Sequence, residues 1–435
     1  MSSTDYDVII IGCGPGGSSA ATFLARAGRR VLVLEKEIFP RFHIGESLLP
    51  CNQTILREMG VLPELQKSDF PRKFGAQFCL GNGTINTRFI FGDGKFNREP
   101  ETFQVERARF DHILLKHARS CGAEIREGWQ VTRFTPAEDS VTVEANSPDG
   151  QPQKFTAKYL IDSSGRGNVT GNQEGTREID PKLKKLALFG HFHNVRLDEG
   201  SAGGDTIIVR LENKWFWIIP VSSDKTSVGL VIDKDEFSRT SGTPEEIFKQ
   251  WIASSPVIAE RMANAELIDS MKTTSDFSYH NRSLTGPRWL RVGDAAGFMD
   301  PIFSAGIFLA MWSGKISAEI LTKKLKNGAP GGRAFTAYEK RVKRGLRFYW
   351  RVVENYYTTP FMELFLQPRN HFDLPSAVSA VLAGELEGGF ALRWRLEYFF
   401  LLVKLQKRWP LVPHISFAPV APMKKSCAPR ATTTV

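Results

Sequence analysis

Apolar residues along this chain fall into three patterns, and each predicts a different kind of element. Near the start, Asp7-Val8-Ile9-Ile10-Ile11 is followed by a helix-like stretch over residues 18–27, then Gly28, then a strand-like run over 30–34. Unbroken apolar runs of this length suit strands covered on both faces, so strand, helix and strand in this order predict a parallel α/β unit. In the middle of the chain, segments such as Lys225-Thr226-Ser227-Val228-Gly229-Leu230-Val231-Ile232 read as strands of a sheet with two unlike faces. Trp215-Phe216-Trp217-Ile218-Ile219-Pro220 belongs to this group: its two indoles share one strand face, and the proline ends the strand. Those six residues alone fit a pair of core tryptophans as well as a wall beside a ligand. From Gly332 onward helical periodicity takes over, clearest over residues 338–357. The closing stretch over 391–409 is apolar and basic, which suits core packing, a pocket cap or contact with a membrane surface.

The turn between the first strand and helix carries the first candidate chemistry. Gly12-Cys13-Gly14-Pro15-Gly16-Gly17 places glycines at the three positions of the dinucleotide fingerprint. Gly12 allows the tight turn, Gly14 lets a pyrophosphate approach the backbone, and Gly17 lets helix and strand pack closely. The pyrophosphate would sit at the helix N-terminus, where unpaired N–H groups and the dipole favour an anion. Glu35, at the end of the second strand, is placed to accept hydrogen bonds from ribose hydroxyls, with Lys36 beside it. Strand, loop, helix, strand and acid together predict a dinucleotide site.

Three further segments extend this reading: Pro40-Arg41-Phe42-His43-Ile44-Gly45-Glu46-Ser47, Tyr159-Leu160-Ile161-Asp162-Ser163-Ser164-Gly165, and Arg291-Val292-Gly293-Asp294-Ala295-Ala296-Gly297. In kind and order they resemble the FAD-contacting motifs of the hydroxylase-like flavoproteins, which include aromatic hydroxylases, geranylgeranyl reductases and flavin-dependent halogenases. The resemblance spans roughly residues 5 to 330. It implies that FAD lies against Pro15, Lys36, Arg41, Ser47, Asp162, Gly165 and Gly293, with Asp294 on the ribityl chain and Arg107 of Val105-Glu106-Arg107 near the flavin. It also implies the organisation. Residues 1–75, 100–175 and 285–330 form a discontinuous Rossmann-like FAD domain. Residues 76–99 and 176–284 form an inserted antiparallel sheet roofing the flavin, residues 331–412 a helical region, and residues 413–435 a disordered tail. The sequence holds one dinucleotide fingerprint, so reduced flavin is expected from a separate flavin reductase or from transient NAD(P)H.

Within that superfamily, Trp215 to Pro220 resembles the Trp-x-Trp-x-Ile-Pro motif of flavin-dependent halogenases at every specified position. Phe298-Met299-Asp300-Pro301-Ile302-Phe303-Ser304-Ala305-Gly306 is similar to their Phe-x-x-Pro-x-x-Ser-x-Gly signature. There the amides of Ala305 and Gly306 would cradle a halide ion beside the flavin, with Pro301, Gly306 and Ile307 against the FAD and Ser304 a catalytic residue; successive N–H groups form such anion nests. The alternative is a glycine needed only to start a helix under the flavin ring. Lys73, in Pro71-Arg72-Lys73-Phe74-Gly75-Ala76, resembles the essential lysine of these enzymes, and a surface lysine beside Arg72 is the alternative. The resemblance implies that reduced flavin, O2 and chloride or bromide make hypohalous acid, which travels past Trp215 and Trp217 to Lys73 and halogenates an electron-rich aromatic. Tryptophan halogenases carry a glutamate where this chain has Phe303, which points away from free tryptophan and towards phenols or pyrroles. The rival expectation is a non-halogenating FAD oxidoreductase, a reductase, dehydrogenase or hydroxylase acting on a lipid, polyene or carrier-bound chain.

Composition bounds the rest. The 435 residues are 42% hydrophobic and 24% charged, too long for one small core. The first strand starts almost at the N-terminus, so no signal peptide is expected, and no uncharged apolar run reaches the roughly 18 residues that span a bilayer. The 5 cysteines have neither paired nor metal-ligand spacing and fit a reduced, cytoplasmic protein without a metal site. The formal charge is +10, and residues 338–435 hold most of it, with 15 basic against 7 acidic residues. That basic region would suit an acidic carrier protein bearing the substrate or an anionic membrane surface. No nucleic-acid motif accompanies it.

Overall fold

The computed structural model describes residues 4–181, 183–275, 278–327 and 332–418. Residues 419–435, most of the expected tail, lie outside the described residues. The first strand, Tyr6–Ile11, lies parallel to Val31–Glu35 on one side and to the C-terminal half of the long strand Pro152–Asp162 on the other. Its apolar side chains are covered from both faces, as the unbroken run requires. Glu124–Glu127 and Trp289–Arg291 extend the parallel part. The N-terminal half of the long strand instead pairs antiparallel with Val141–Asn146, giving a seven-stranded sheet. The helix Pro15–Arg26 packs against the long helix Ala305–Asn327, so the two candidate anion-binding loops lie close together.

A second sheet of eight strands is built from Gly75–Leu80, Asn86–Ile90 and the segments between Lys185 and Ser275. It is not purely antiparallel: Gly75–Leu80 runs parallel to Thr206–Arg210, because these strands come from separate insertions rather than from one hairpin. Alternation sorts its two faces. Phe216, Ile218, Ile207 and Val209 enter one apolar cluster with Phe248 and Ile258, whereas Trp215, Trp217, Ile219 and Ile208 point to the other side and join the main core. Helices Gly332–Tyr356, Thr359–Leu366, Leu374–Ala383 and Phe390–Gln406 pack beside this second face. The chain from 413 to 418, expected within a tail, is tied down. The Gln367 side chain donates to Pro413 O and Asn82 donates to Ser416 O and Ala418 O.

Candidate active site

Between the two sheets lies a cavity of about 630 Å³, within the usual range for a cofactor or ligand site. Its lining brings together Gly12, Gly14, Pro15, Glu35, Lys36, Arg41, Ser47, Arg107, Gly165, Gly293 and Asp294 with Trp215, Trp217, Pro301, Ser304, Ala305, Gly306 and Ile307. The strands converge on it because both glycine loops leave the C-terminal ends of parallel strands, where ligands of open α/β sheets bind.

The three glycines of the fingerprint do separate jobs. Gly12 holds a φ of +88°, which side chains rarely adopt. A Cβ on Gly17 would lie 2.0 Å from Gly12 O, so Gly17 is required by packing alone. A Cβ on Gly14 would meet nothing nearer than Arg41 Nη2 at 3.8 Å. Packing within the protein therefore does not demand glycine at 14, and the space in front of it suits a bound pyrophosphate. Glu35 is partly engaged by the loop itself, accepting the Cys13 amide at 2.6 Å and the Glu37 amide at 2.9 Å.

Two other cofactor candidates differ in how they meet the cavity. Asp294 lines it, and its carboxylate makes no hydrogen bond among the described residues; burial lifts it to about 6, against the pull of Arg166 and Arg107. It is placed to take a hydroxyl group. Asp162 is turned inward instead, fully buried and absent from the lining. It accepts from the Ser164 and Thr170 amides and the Thr170 hydroxyl, so its work is to shape the loop. Arg107 is held by both oxygens of Asp111 at 2.8 Å and donates to Ile44 O and Gly45 O, which fixes the segment 43–47 along the cavity rim. His43 in that segment is driven down to about 3, first by burial and then by the Arg107 charge.

The indoles of Trp215 and Trp217 lie 5.9 Å apart and form one side of the cavity. Trp217 lies over its cross-strand partner Gly229, where a Cβ would sit 2.2 Å from the ring, and donates to Ser227 Oγ at 3.1 Å. Trp215 donates to Tyr357 Oη at 2.9 Å, and Tyr357 in turn donates to Asp300 Oδ2 at 2.6 Å. Asp300 also caps the Ile302 amide, just before Ser304 turns left-handed (φ 54°) into the helix Ala305–Asn327. The amides of Ala305 and Gly306 are thus the first of a 23-residue helix aimed at the cavity, with small side chains in front of them. Phe303 packs edge-on against Tyr356 at 5.6 Å.

Lys73 is neither on the surface nor on the cavity lining. It is 2% exposed, one residue behind the wall. Its Nζ donates to Ser47 Oγ at 2.8 Å and to Leu48 O at 3.1 Å, with the Phe91 ring 5.4 Å away. Ser47 Oγ lies 2.8 Å from Thr206 Oγ1, which accepts from Gln104. Burial pulls Lys73 down to about 7, although the Asp205 charge opposes this. Two acceptors match the two N–H bonds of a neutral amine and leave its lone pair unused. Sequence reasoning missed Glu46, buried on the lining with Oε1 2.6 Å from His191 Nε2, and it missed the Asp300–Tyr357 pair. Glu46 stood inside a quoted motif, but its partner is 145 residues away.

A family model described as an FAD binding domain matches residues 5–355. The 1H-pyrrole-2-carbonyl-[peptidyl-carrier protein] chlorinase of Pseudomonas fluorescens is 31% identical over 398 residues, 86% of this chain and 89% of that protein. The corresponding brominase of Pseudoalteromonas luteoviolacea is 33% identical over 356 residues, 79% of this chain and 86% of its own. Among solved structures, a flavin-dependent brominase superposes with a TM-score of 0.82 at 28% identity, covering 92% of this chain and all of that one (100%). A flavoprotein/dehydrogenase from Cytophaga hutchinsonii superposes at 0.86 with 29% identity, over 92% of this chain and 98% of its own. A glycine-loop FAD cavity walled by paired indoles, with a helix N-terminus aimed into it, therefore belongs here to an FAD-dependent enzyme, and the chain is a member of the flavin-dependent halogenase family.

Proposed function

We propose that this enzyme halogenates a pyrrole or phenol ring carried as an acyl group on a small acidic carrier protein. Bound FAD, reduced by a separate flavin reductase, supplies with O2 the oxidant that turns chloride or bromide into hypohalous acid. The protein's part is to hold the halide on the Ala305 and Gly306 amides, where the helix dipole adds to two N–H donors. Trp215 and Trp217 keep the aromatic substrate away from the flavin, so oxygen is not passed to the ring directly. The observation that carries the reading is the buried amine of Lys73, separated from the cavity by the Ser47 hydroxyl. Hypohalous acid that passes Ser47 meets either an ammonium that protonates its oxygen or an amine lone pair that takes the halogen. In both cases electrophilic halogen is delivered at one place instead of diffusing.

Two features support the substrate class. Phe303 puts a ring where an acid would be needed to steady a cation on a free indole, so the substrate's own heteroatom must do so. Two relatives are named for a pyrrole-2-carbonyl group on a carrier protein, and residues 338–435 of this chain are strongly basic. The likeness to a flavoprotein/dehydrogenase favours a second reading, a flavin oxidoreductase that does not halogenate. The deciding test is turnover with FAD, a flavin reductase, NADH, halide and a panel of free and carrier-bound pyrroles and phenols, read by mass spectrometry. Lys73→Ala should abolish halogenated product while flavin reoxidation by O2 continues.

A further inference from the structure

On the second sheet, Thr206, Ile208 and Arg210 alternate onto the same face as the two indoles. Thr206 joins the Ser47–Lys73 network, and Ile208 lines the flavin cavity. Arg210 follows four residues on, about 13 Å along the strand, and is the cross-strand partner of Trp215. It is 2% exposed. Of the three buried cations at this edge, Lys185 pairs with Asp233 at 2.8 Å and Lys214 with Glu236 at 2.8 Å. Arg210 has no acidic partner among the described residues. Its Nη1 reaches Lys214 O at 3.3 Å, and its Nε is buried with no hydrogen bond. The rings of Tyr356, Tyr357 and Phe417 lie 5.1–5.8 Å from the guanidinium carbon. Rings stabilise a guanidinium through its planes, but they do not satisfy the N–H groups on its edge. Asp300, whose charge Arg210 influences, is already bonded to Tyr357 and the Ile302 amide.

A buried charge without a counter-ion is costly, and an unmade N–H bond adds to the cost. We propose that Arg210 is the substrate-orienting residue, and that its missing partner is the carbonyl or carboxylate oxygen attached to the aromatic ring. This rests on the aroyl reading of the substrate given above. With Thr206, linked through Ser47 to Lys73, at one end of the face and Arg210 at the other, a ring anchored by its acyl oxygen presents a fixed edge to the halogenating amine. Phe417 of the segment 413–418 lies on Arg210, and that segment is held to the body at Glu363 and Asn82.

The test is equilibrium binding to the FAD-loaded protein, followed by tryptophan fluorescence, with three probes: pyrrole-2-carboxylate, its pantetheine thioester, and pyrrole. The wild type should bind both carbonyl probes at least about tenfold more tightly than pyrrole, the size of one good charge-assisted hydrogen bond. Arg210→Met should erase that preference, leave pyrrole affinity within about twofold and not lower Tm, because an uncompensated buried charge is removed. The carbonyl probe that loses more identifies the source, free acid or tethered thioester. Arg210→Lys keeps the charge without the fork and should lose most of the preference; it decides the matter if the methionine variant does not fold. No carbonyl preference in the wild type, or an equal loss for all three probes, would overturn the proposal. Because binding needs no turnover, a failure to halogenate would leave this result standing by itself.

Discussion

Replacing Lys73 by methionine should stabilise the folded protein at neutral pH and destabilise it at high pH. Burial lowers the amine from its ordinary 10.5 to about 7. Between those values the unfolded chain holds a proton that the folded chain refuses, so folding stability rises with pH through this window. At pH 7 the refused proton costs the wild type about 4 kcal/mol, and at pH 10 less than about 1. Methionine keeps the length and the contact with Phe91 but leaves Leu48 O without its donor, a loss of about 1–3 kcal/mol. The Ser47 hydroxyl keeps Thr206. The net expectation is a gain of about 1–3 kcal/mol at pH 7 that becomes a small loss at pH 10. Denaturant unfolding of wild type and Lys73→Met, each in saturating FAD at both pH values, measures this. A variant less stable at pH 7, with no change of sign by pH 10, would mean that Lys73 carries its charge comfortably and is not the desolvated amine described above.

The pH dependence of halogenation separates the two roles open to Lys73. If the ammonium gives up a proton, the rate should fall as pH rises through about 7; if the lone pair takes the halogen, it should rise there. A rate flat from pH 6 to 8 would remove Lys73 from the chemical step. Tyr357→Phe removes the bonds to both Trp215 and Asp300 while keeping the ring. It should release more peroxide per flavin oxidised and less halogenated product, with FAD affinity unchanged. Gly229→Ala forces Trp217 off its seat and should cost about 1–3 kcal/mol, read as a lower Tm together with the same peroxide leak. Gly14→Ala should weaken FAD binding in a fluorescence titration without lowering the stability of the flavin-free protein, whereas Gly17→Ala should lower that stability.

What could be read from the sequence was whatever the chain writes locally. In the fingerprint at residues 12–17 the chain itself requires glycine at 12, for its positive φ, and at 17, for its contact with Gly12 O, while Gly14 leaves room for the ligand. The shared face of Trp215 and Trp217 follows from the period of a strand. For Asp162 the motif gives the residue type but not the direction of its side chain, and two amides and a hydroxyl close by claim that carboxylate. The links that matter most for chemistry were invisible because they join distant segments. Ser47 meets Thr206 across 159 residues, Trp215 meets Tyr357 across 142, and nothing local marks Thr206 or Tyr357 as their partners. Arg210 is harder still, since its significance lies in a partner that the folded chain does not supply.

The central claim is that an oxidant made in the flavin cavity is handed to halogen and not to the ring. The direct measurement is mass spectrometry of pyrrole-2-carbonyl carrier protein after incubation with the enzyme, FAD, a flavin reductase, NADH, air and chloride or bromide. Product carrying the isotope pattern of the halide supplied, absent for Lys73→Ala while NADH is still consumed, is the predicted result. Hydroxylated or reduced product, or peroxide alone with every substrate and both halides, would contradict it.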